Sequence, residues 1–100
     1  MRKLTEQDLT NIIGRSFKGH TVEKARVKRG DLRDSDHYGF ILAKTADGHC
    51  VTWQFHLDEN DKPTVYWGHY FMEKYDKAVW DYDNRDADGY EYGKNGDDES

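Results

Sequence analysis

The fold is decided by residues 38–71, which read YGFILAKTADGHCVTWQFHLDENDKPTVYWGHYF. Two turn signals divide this stretch into three strands. Asp47-Gly48 is typical of a two-residue hairpin loop, because both of its positions need the positive φ that Asn, Asp and Gly tolerate best. The polar run from Asp58 to Pro63 is a second turn signal. The stretch therefore predicts a three-stranded antiparallel meander.

Centring the first turn on Asp47-Gly48 also predicts which residues pair. The predicted pairs are Ala46 with His49, Lys44 with Val51, Leu42 with Trp53, Phe40 with Phe55, and Tyr38 with Leu57. Side chains alternate along a strand, so this register gives the sheet one apolar face, which a slip of one residue would destroy. The predicted core face is Tyr38, Phe40, Leu42, Val51, Trp53, Phe55, Val65, Trp67, His69 and Phe71. The predicted opposite face is Gly39, Ile41, Ala43, Thr52, Gln54, His56, Tyr66, Gly68 and Tyr70.

One helix is predicted before the meander in the sequence and another after it. Thr5 followed by Asp8 indicates a helix N-cap, and apolar residues at helical spacing predict a helix over residues 6–16, with Lys18-Gly19 as its stop signal. Residues 21–29 predict a further strand. After Phe71 the apolar period changes from two to that of a helix, which predicts a second helix over residues 71–83.

The resulting order, α-β-β-β-β-α, predicts an α+β fold: an antiparallel meander of three to four strands with both helices packed on its apolar face. Residues 1–83 form a single domain in this prediction. Residues 84–100 are acidic and almost free of aliphatic side chains, which predicts a flexible C-terminal tail.

Length and composition restrict the class of protein. The chain has 100 residues, 14% of them aromatic and 35% charged, and it has one cysteine. One small domain with aromatic core residues is expected. There is no apolar run long enough for a membrane span and no secretory signal pattern, and the lone Cys50 cannot form an internal disulfide. These features predict a cytoplasmic protein.

Charge is distributed unevenly along the chain. Residues 1–33 have a net charge of +5, residues 34–70 of −4, and residues 71–100 of −6. In size, charge and aromatic content the chain resembles the small acidic inhibitors that phages and mobile elements encode. That resemblance is one of composition, and it implies that carboxylates of the C-terminal region take the place of nucleic-acid phosphates in a basic groove. These acids are Asp81, Asp83, Asp86, Asp88, Glu91, Asp97, Asp98 and Glu99.

No catalytic or cofactor motif is present in the sequence, so a non-enzymatic protein is expected. The five histidines and the cysteine lack the spacings of a zinc site. His49 neighbours Cys50 but points to the opposite side of the strand, so it is a poor base for the thiol. A weak calcium candidate is the half-motif with oxygen side chains at Asn84, Asp86 and Asp88 before Gly89, which resembles the start of an EF-hand loop but lacks its final carboxylate.

Two binding hypotheses follow. Lys24, Arg26 and Lys28 alternate along the predicted strand at 21–29, and such a basic face is one way to bind nucleic acid. The other hypothesis, which we prefer on the acidic charge balance, is that the protein binds another protein through its polar, tyrosine-containing sheet face. The predicted partner-binding residues are Gln54, His56, Tyr66, Tyr70 and Trp80.

Overall fold

The computed structural model describes residues 3–28, 37–87 and 89–90. Its elements are α1 (Glu6–Ile12), β1 (Ser16–Phe17), β2 (His20–Val27), β3 (Gly39–Lys44), β4 (Cys50–Leu57), β5 (Pro63–Met72) and α2 (Tyr75–Asn84). The five strands form one antiparallel sheet in the order β1-β2-β3-β4-β5. The predicted α+β class and antiparallel meander are confirmed, with five strands rather than three to four.

The hairpin between β3 and β4 differs from the prediction by one residue. Its loop contains three residues, closed by hydrogen bonds of 2.9 Å from the Thr45 N–H to the His49 carbonyl and from the Gly48 N–H to the Thr45 carbonyl. Gly48 has a φ of 91°, but Asp47 does not have a positive φ. This is the three-residue loop in which a turn is followed by one left-handed residue. The observed pairs are Phe40 with Gln54, Ile41 with Trp53, Leu42 with Thr52, Ala43 with Val51, and Lys44 with Cys50.

In the observed register the two helices lie on opposite faces of the sheet. Ile41, Ala43, Val51, Trp53 and Phe55 pack with Leu4 and Ile12 of the N-terminal region, and we call this side the α1 face. The alternate residues Phe40, Leu42 and Cys50 pack with Ala78 and Tyr82, and we call this side the α2 face. The prediction that both helices cover one face is therefore wrong.

The centre of the sheet explains why two helices are needed. In β3 five consecutive residues, Gly39 to Ala43, are buried. Burial without alternation is typical of a strand that is covered on both faces. The uninterrupted apolar run of β3 is itself the sequence pattern of such a strand, and it is incompatible with one polar face.

The N-terminal region contains a strand where a helix was predicted. α1 ends at Ile12, and residues Ser16–Phe17 pair with Thr21 and His20 of β2. Lys18 and Gly19 connect them with φ angles of 51° and 83°. Positive φ at both positions is the requirement of a two-residue hairpin turn, so Lys18-Gly19 is a strand connection and not a helix stop.

The C-terminal helix begins and ends later than predicted. α2 spans Tyr75–Asn84 instead of residues 71–83, because Phe71 and Met72 continue β5. The predicted tail began at residue 84, but the Arg85, Asp86 and Tyr90 side chains are hydrogen-bonded to the sheet or to α2. Residues 91–100 lie outside the described part of the chain.

Gly39 provides a test of the close contact between β2 and β3. A Cβ atom on Gly39 would lie 2.1 Å from the carbonyl oxygen of Arg26, which is backbone and cannot rotate away. We therefore expect Gly39→Ala to lower the free energy of unfolding by about 1–3 kcal/mol, as overpacking does. Urea denaturation measures this change. Thr64→Ala on β5 is the control, since surface substitutions change stability by about 0.5 kcal/mol or less.

Candidate functional site

The five predicted partner-binding residues do not form one surface. Gln54, His56 and Tyr66 lie together on the α2 face, where the Tyr66 hydroxyl accepts from Gln54 Nε2 at 3.2 Å and lies 3.3 Å from His56 Nδ1. Tyr70 lies on the α1 face, 6.4 Å from the Trp53 ring. Trp80 lies on α2, and its ring stacks on the Tyr90 ring with centroids 5.8 Å apart.

A β-bulge in β5 separates Tyr70 from Tyr66. Trp67 and Gly68 together lie opposite the single Trp53, because the β4–β5 register shifts at this point. The extra residue reverses the alternation of side chains from Trp67 as far as Tyr70, after which the register shifts a second time. Tyr70 therefore points to the opposite face from Tyr66, although an even spacing in the sequence predicted that they share one.

The bulge also turns Trp67 outward. Trp67 was predicted to lie on the core face together with Trp53, but its side chain is 68% exposed. Its φ is 56°. A positive φ is uncommon for a bulky residue and costs about 1–3 kcal/mol, so the surrounding structure must hold it in place.

Three contacts hold the bulge in this conformation. Gly68 lies directly against Trp53, since a Cβ atom at position 68 would be 2.7 Å from the indole nitrogen. Arg85 Nη2 donates to the Trp67 carbonyl at 2.9 Å. The Tyr66 ring packs edge-on against the Trp67 ring with centroids 5.0 Å apart. The exposed indole is thus presented from a fixed backbone.

Arg85 is itself fixed by the α2 face of the sheet. Its Nη1 donates to the Thr52 carbonyl at 3.1 Å, and its guanidinium lies 5.3 Å from the centre of the Phe40 ring. A planar guanidinium can make such hydrogen bonds while stacking on an aromatic face. Arg85 therefore connects the bulge of β5 to the core beneath α2.

Three of the large hydrophobic side chains that are exposed in the described residues belong to β5, at the edge of the described sheet. Tyr70 is 52% exposed and Met72 is 62% exposed, and β5 pairs only with β4 among the described strands. None of its ten residues is charged. Edge strands are ordinarily protected from other chains by charged side chains, proline or bulges, and β5 has Pro63 and the bulge but no charge. We call Tyr66, Trp67, Tyr70 and Met72 the aromatic edge. They follow one edge strand, and Tyr66 and Tyr70 point to its opposite faces.

A buried carboxylate connects α2 to the sheet beside this strand. Asp81 is 1% exposed, and its Oδ2 accepts from the Thr52 hydroxyl at 2.5 Å and lies 3.0 Å from His69 Nδ1. Its Oδ1 accepts a hydrogen bond from the Tyr90 hydroxyl. Burial alone would raise the pKa of Asp81, but the hydrogen bonds from His69, Thr52 and Tyr90 lower it below its usual value. The carboxylate is therefore kept ionised inside the protein.

His69 was placed on the predicted core face, and its contact with Asp81 is that of a hydrogen-bonded structural histidine. Cys50, the only cysteine, is 1% exposed, and burial raises the pKa of its thiol. A raised pKa disfavours the thiolate, which is the nucleophilic form. The sequence already made His49 a poor base for Cys50, and a buried thiol with a raised pKa does not favour that pair as base and nucleophile.

The three basic residues proposed for nucleic-acid binding have different environments. Lys24 is exposed, but Arg26 is bound within the protein: its guanidinium donates to both carboxylate oxygens of Asp86, at 2.9 and 3.1 Å, and twice to the Tyr82 carbonyl. Lys28 lies 6.0 Å from the Tyr38 ring. Arg26 therefore binds residues at the end of α2 and is not available for a phosphate, as the predicted basic face requires.

The calcium candidate is affected by the same contact. Both oxygens of Asp86 receive hydrogen bonds from Arg26, and the Asn84 side-chain amide donates to the Trp80 carbonyl at 2.8 Å. Asp88 lies outside the described residues. Within residues 3–28, 37–87 and 89–90, no group of three or more His, Cys, Asp or Glu side chains is arranged to hold a metal ion.

The comparisons with known proteins identified no relative of this chain. No protein-family model matches the chain, and searches of curated proteins and of solved structures found no match either. None of the helices in the described part of the chain is long and apolar enough to cross a membrane. The fold and the site together define a small α+β domain with an aromatic edge strand.

Proposed function

We propose that this protein binds another protein through the aromatic edge, with Trp67 as the central contact. The observation that carries the proposal is the 68% exposure of Trp67 on a bulge that Gly68 and Arg85 hold in place. A positive φ at an exposed tryptophan costs stability and gains nothing for the core. Such strain is typical of positions where side-chain direction matters for function.

The composition around Trp67 favours a protein as the partner. Tryptophan and tyrosine are the residues most enriched among those that dominate binding energy at protein interfaces, together with arginine. Gln54 and His56, bonded to the Tyr66 hydroxyl, supply polar groups beside the rings. Because the bulge is fixed before binding, little conformational entropy remains to be lost at this position.

The concrete form of the proposal is a cytoplasmic, non-enzymatic accessory or inhibitor of the type that phages and mobile elements encode. Residues 34–100 contain a large excess of acids over bases, with a net charge of −4 for residues 34–70 and −6 for residues 71–100. The aromatic edge lies in this acidic part of the chain. A partner with a basic surface would be attracted over a longer range than the direct contact.

The test is affinity capture with the full chain as bait, in bacterial lysate, followed by titration of the protein that is captured. Trp67→Ala is expected to weaken binding by about 30-fold or more, since loss of a dominant interface residue costs about 2 kcal/mol or more. Tyr66→Ala and Tyr70→Ala should each weaken binding by a smaller factor.

Ile13→Ala is the matched control, because Ile13 is also a large apolar residue, 47% exposed, on a different part of the molecule. Its binding should equal that of the wild type. Circular dichroism establishes that each variant is folded. Binding by folded Trp67→Ala within twofold of the wild type would show that the aromatic edge is not the contact.

A further inference from the structure

We propose that the space filled by the Tyr90 ring is a binding site for a phenol, and that Tyr90 is a tethered occupant of it. The walls come from three elements: Asp81 and Trp80 of α2, His69 of β5, and Thr52 of β4, which orients Asp81. We call this space the phenol slot. It is separate from the contact proposed for Trp67 and does not depend on it.

The hydroxyl end of the slot is built around a buried acceptor. Asp81 Oδ2 already has the Thr52 hydroxyl and His69 Nδ1 as partners, whereas the Tyr90 hydroxyl is the hydrogen-bond partner of Oδ1. The same hydroxyl lies 3.2 Å from His69 Nδ1. A carboxylate oxygen in this environment requires a donor, because an unsatisfied buried acceptor is costly. An O–H group at the end of a ring satisfies it.

The ring end of the slot is aromatic. The Trp80 and Tyr90 rings lie 5.8 Å apart with an angle of 23° between their planes, and the His69 ring is within 3° of parallel to Tyr90. Near-parallel aromatic surfaces favour a flat ring over an aliphatic chain. Flat shape and a terminal hydroxyl together specify a phenol.

Tyr90 reaches the slot from a short connection after α2. The backbone hydrogen bonds of that connection include Ala87 N–H to the Asn84 carbonyl, at 2.9 Å, and Tyr90 N–H to the Ala87 carbonyl, at 3.1 Å. Thr52, His69, Trp80 and Asp81 belong to helix and strands that do not need Tyr90 for their own backbone hydrogen bonds. The backbone that forms the slot is therefore complete without Tyr90, as exchange of the ring for a free phenol requires.

The ligand class is a phenol, supplied either by a tyrosyl residue of a peptide or by a small phenolic compound. Either must compete with Tyr90, which is held close to the slot by its own chain. The apparent affinity of the added phenol is then its intrinsic affinity multiplied by the fraction of molecules in which Tyr90 has left the slot. Removal of the Tyr90 ring should abolish that competition.

The experiment compares Tyr90→Ala with the wild type, using p-cresol as the probe and toluene as its analogue without the hydroxyl. Binding is followed by the melting temperature and by the amide shifts of Thr52 and His69. We expect p-cresol to bind Tyr90→Ala at least about tenfold more tightly than toluene, since a hydrogen bond to a charged acceptor is worth that factor. Wild type and Tyr90→Phe should bind p-cresol more weakly than Tyr90→Ala.

Each outcome decides the proposal. If Tyr90→Ala is unfolded, p-cresol but not toluene should restore the folded spectrum, and restoration by neither would overturn it. Equal binding of p-cresol and toluene, or equal binding of p-cresol to the wild type and Tyr90→Ala, would also overturn it. N-acetyltyrosinamide distinguishes the sources: binding as tight as that of p-cresol indicates a peptide tyrosine, and much weaker binding indicates a small phenol.

Discussion

Asp81→Asn is expected to lower the free energy of unfolding by about 1–3 kcal/mol, the cost of leaving a buried hydrogen-bonding group without its partner. Asparagine has nearly the same shape, so the loss comes from hydrogen bonding and not from a cavity. Its amide NH₂ cannot accept, and one of the donors from Thr52, His69 and Tyr90 would be left without an acceptor. Urea denaturation at pH 7 measures the difference.

The pH dependence of the same variant gives a second readout. The folded-state pKa of Asp81 is below its usual value. Its stabilisation is therefore present above the unfolded-state pKa, about 3.9, and is lost as the pH falls through the lower folded-state pKa. The stability difference between wild type and Asp81→Asn should shrink below about pH 4.

The matched control is Asp83→Asn, on the same helix but exposed, where a change below about 1 kcal/mol is expected for a surface charge. A loss at Asp81 no larger than the loss at Asp83 would contradict the role of the buried network. A difference between wild type and Asp81→Asn that stays constant from pH 7 to pH 3 would contradict the ionised state of the carboxylate.

Arg26→Ala is expected to lower the free energy of unfolding by about 2–4 kcal/mol. The Arg26 side chain is 20% exposed and that of its partner Asp86 is 6% exposed, so the substitution leaves a nearly buried carboxylate without its cation. The Tyr82 carbonyl loses two donors as well. Arg26→Lys should recover only part of the loss, because an ammonium cannot make the paired contact with both oxygens. Thermal and urea denaturation measure both variants.

Lys24→Ala is the control for Arg26. Lys24 is exposed on the same strand, so a change of about 0.5 kcal/mol or less is expected. Equal effects at the two positions would show that Arg26 is an ordinary surface residue. In that case the basic residues of β2 would again be available for nucleic acid, and a mobility shift at low salt would become the relevant assay.

Local signals in the sequence predicted much of the secondary structure. The capping box of α1 is present, with the Thr5 side chain and Asp8 bonded to one another's backbone N–H. The second turn, predicted from Asp58 to Pro63, was also located correctly, since β4 ends at Leu57 and β5 begins at Pro63. In both cases the information lies within a few residues of the element it determines.

The register of the β3–β4 hairpin could not be predicted in the same way. Asp47-Gly48 is compatible with a two-residue loop and with a three-residue loop, and the two differ by one residue in pairing. The choice is decided by packing, because Ile41 and Trp53 share the α1 face while Phe40 and Leu42 meet α2. An error of one residue in the predicted loop length therefore assigned the side chains of β3 to the wrong face relative to those of β4.

The candidate site was missed for a related reason. Trp67 has the hydrophobicity of a core residue, and parity placed it on the core face, whereas the bulge exposes it. The available signal was Gly68, because a glycine inside a strand often marks a bulge or a close backbone approach. The contact of Arg85 with the Trp67 carbonyl joins residues 18 positions apart and has no local signal.

Site-specific photocrosslinking at position 67 is the most direct test of the central claim that the aromatic edge binds a protein. A photoreactive phenylalanine derivative replaces Trp67 in one bait and Ile13 in another, and both are irradiated with the partner captured by the wild type. We predict a crosslink to that partner from position 67 and none from position 13. Capture by both baits with no crosslink from position 67, or with equal crosslinks from both positions, would contradict it.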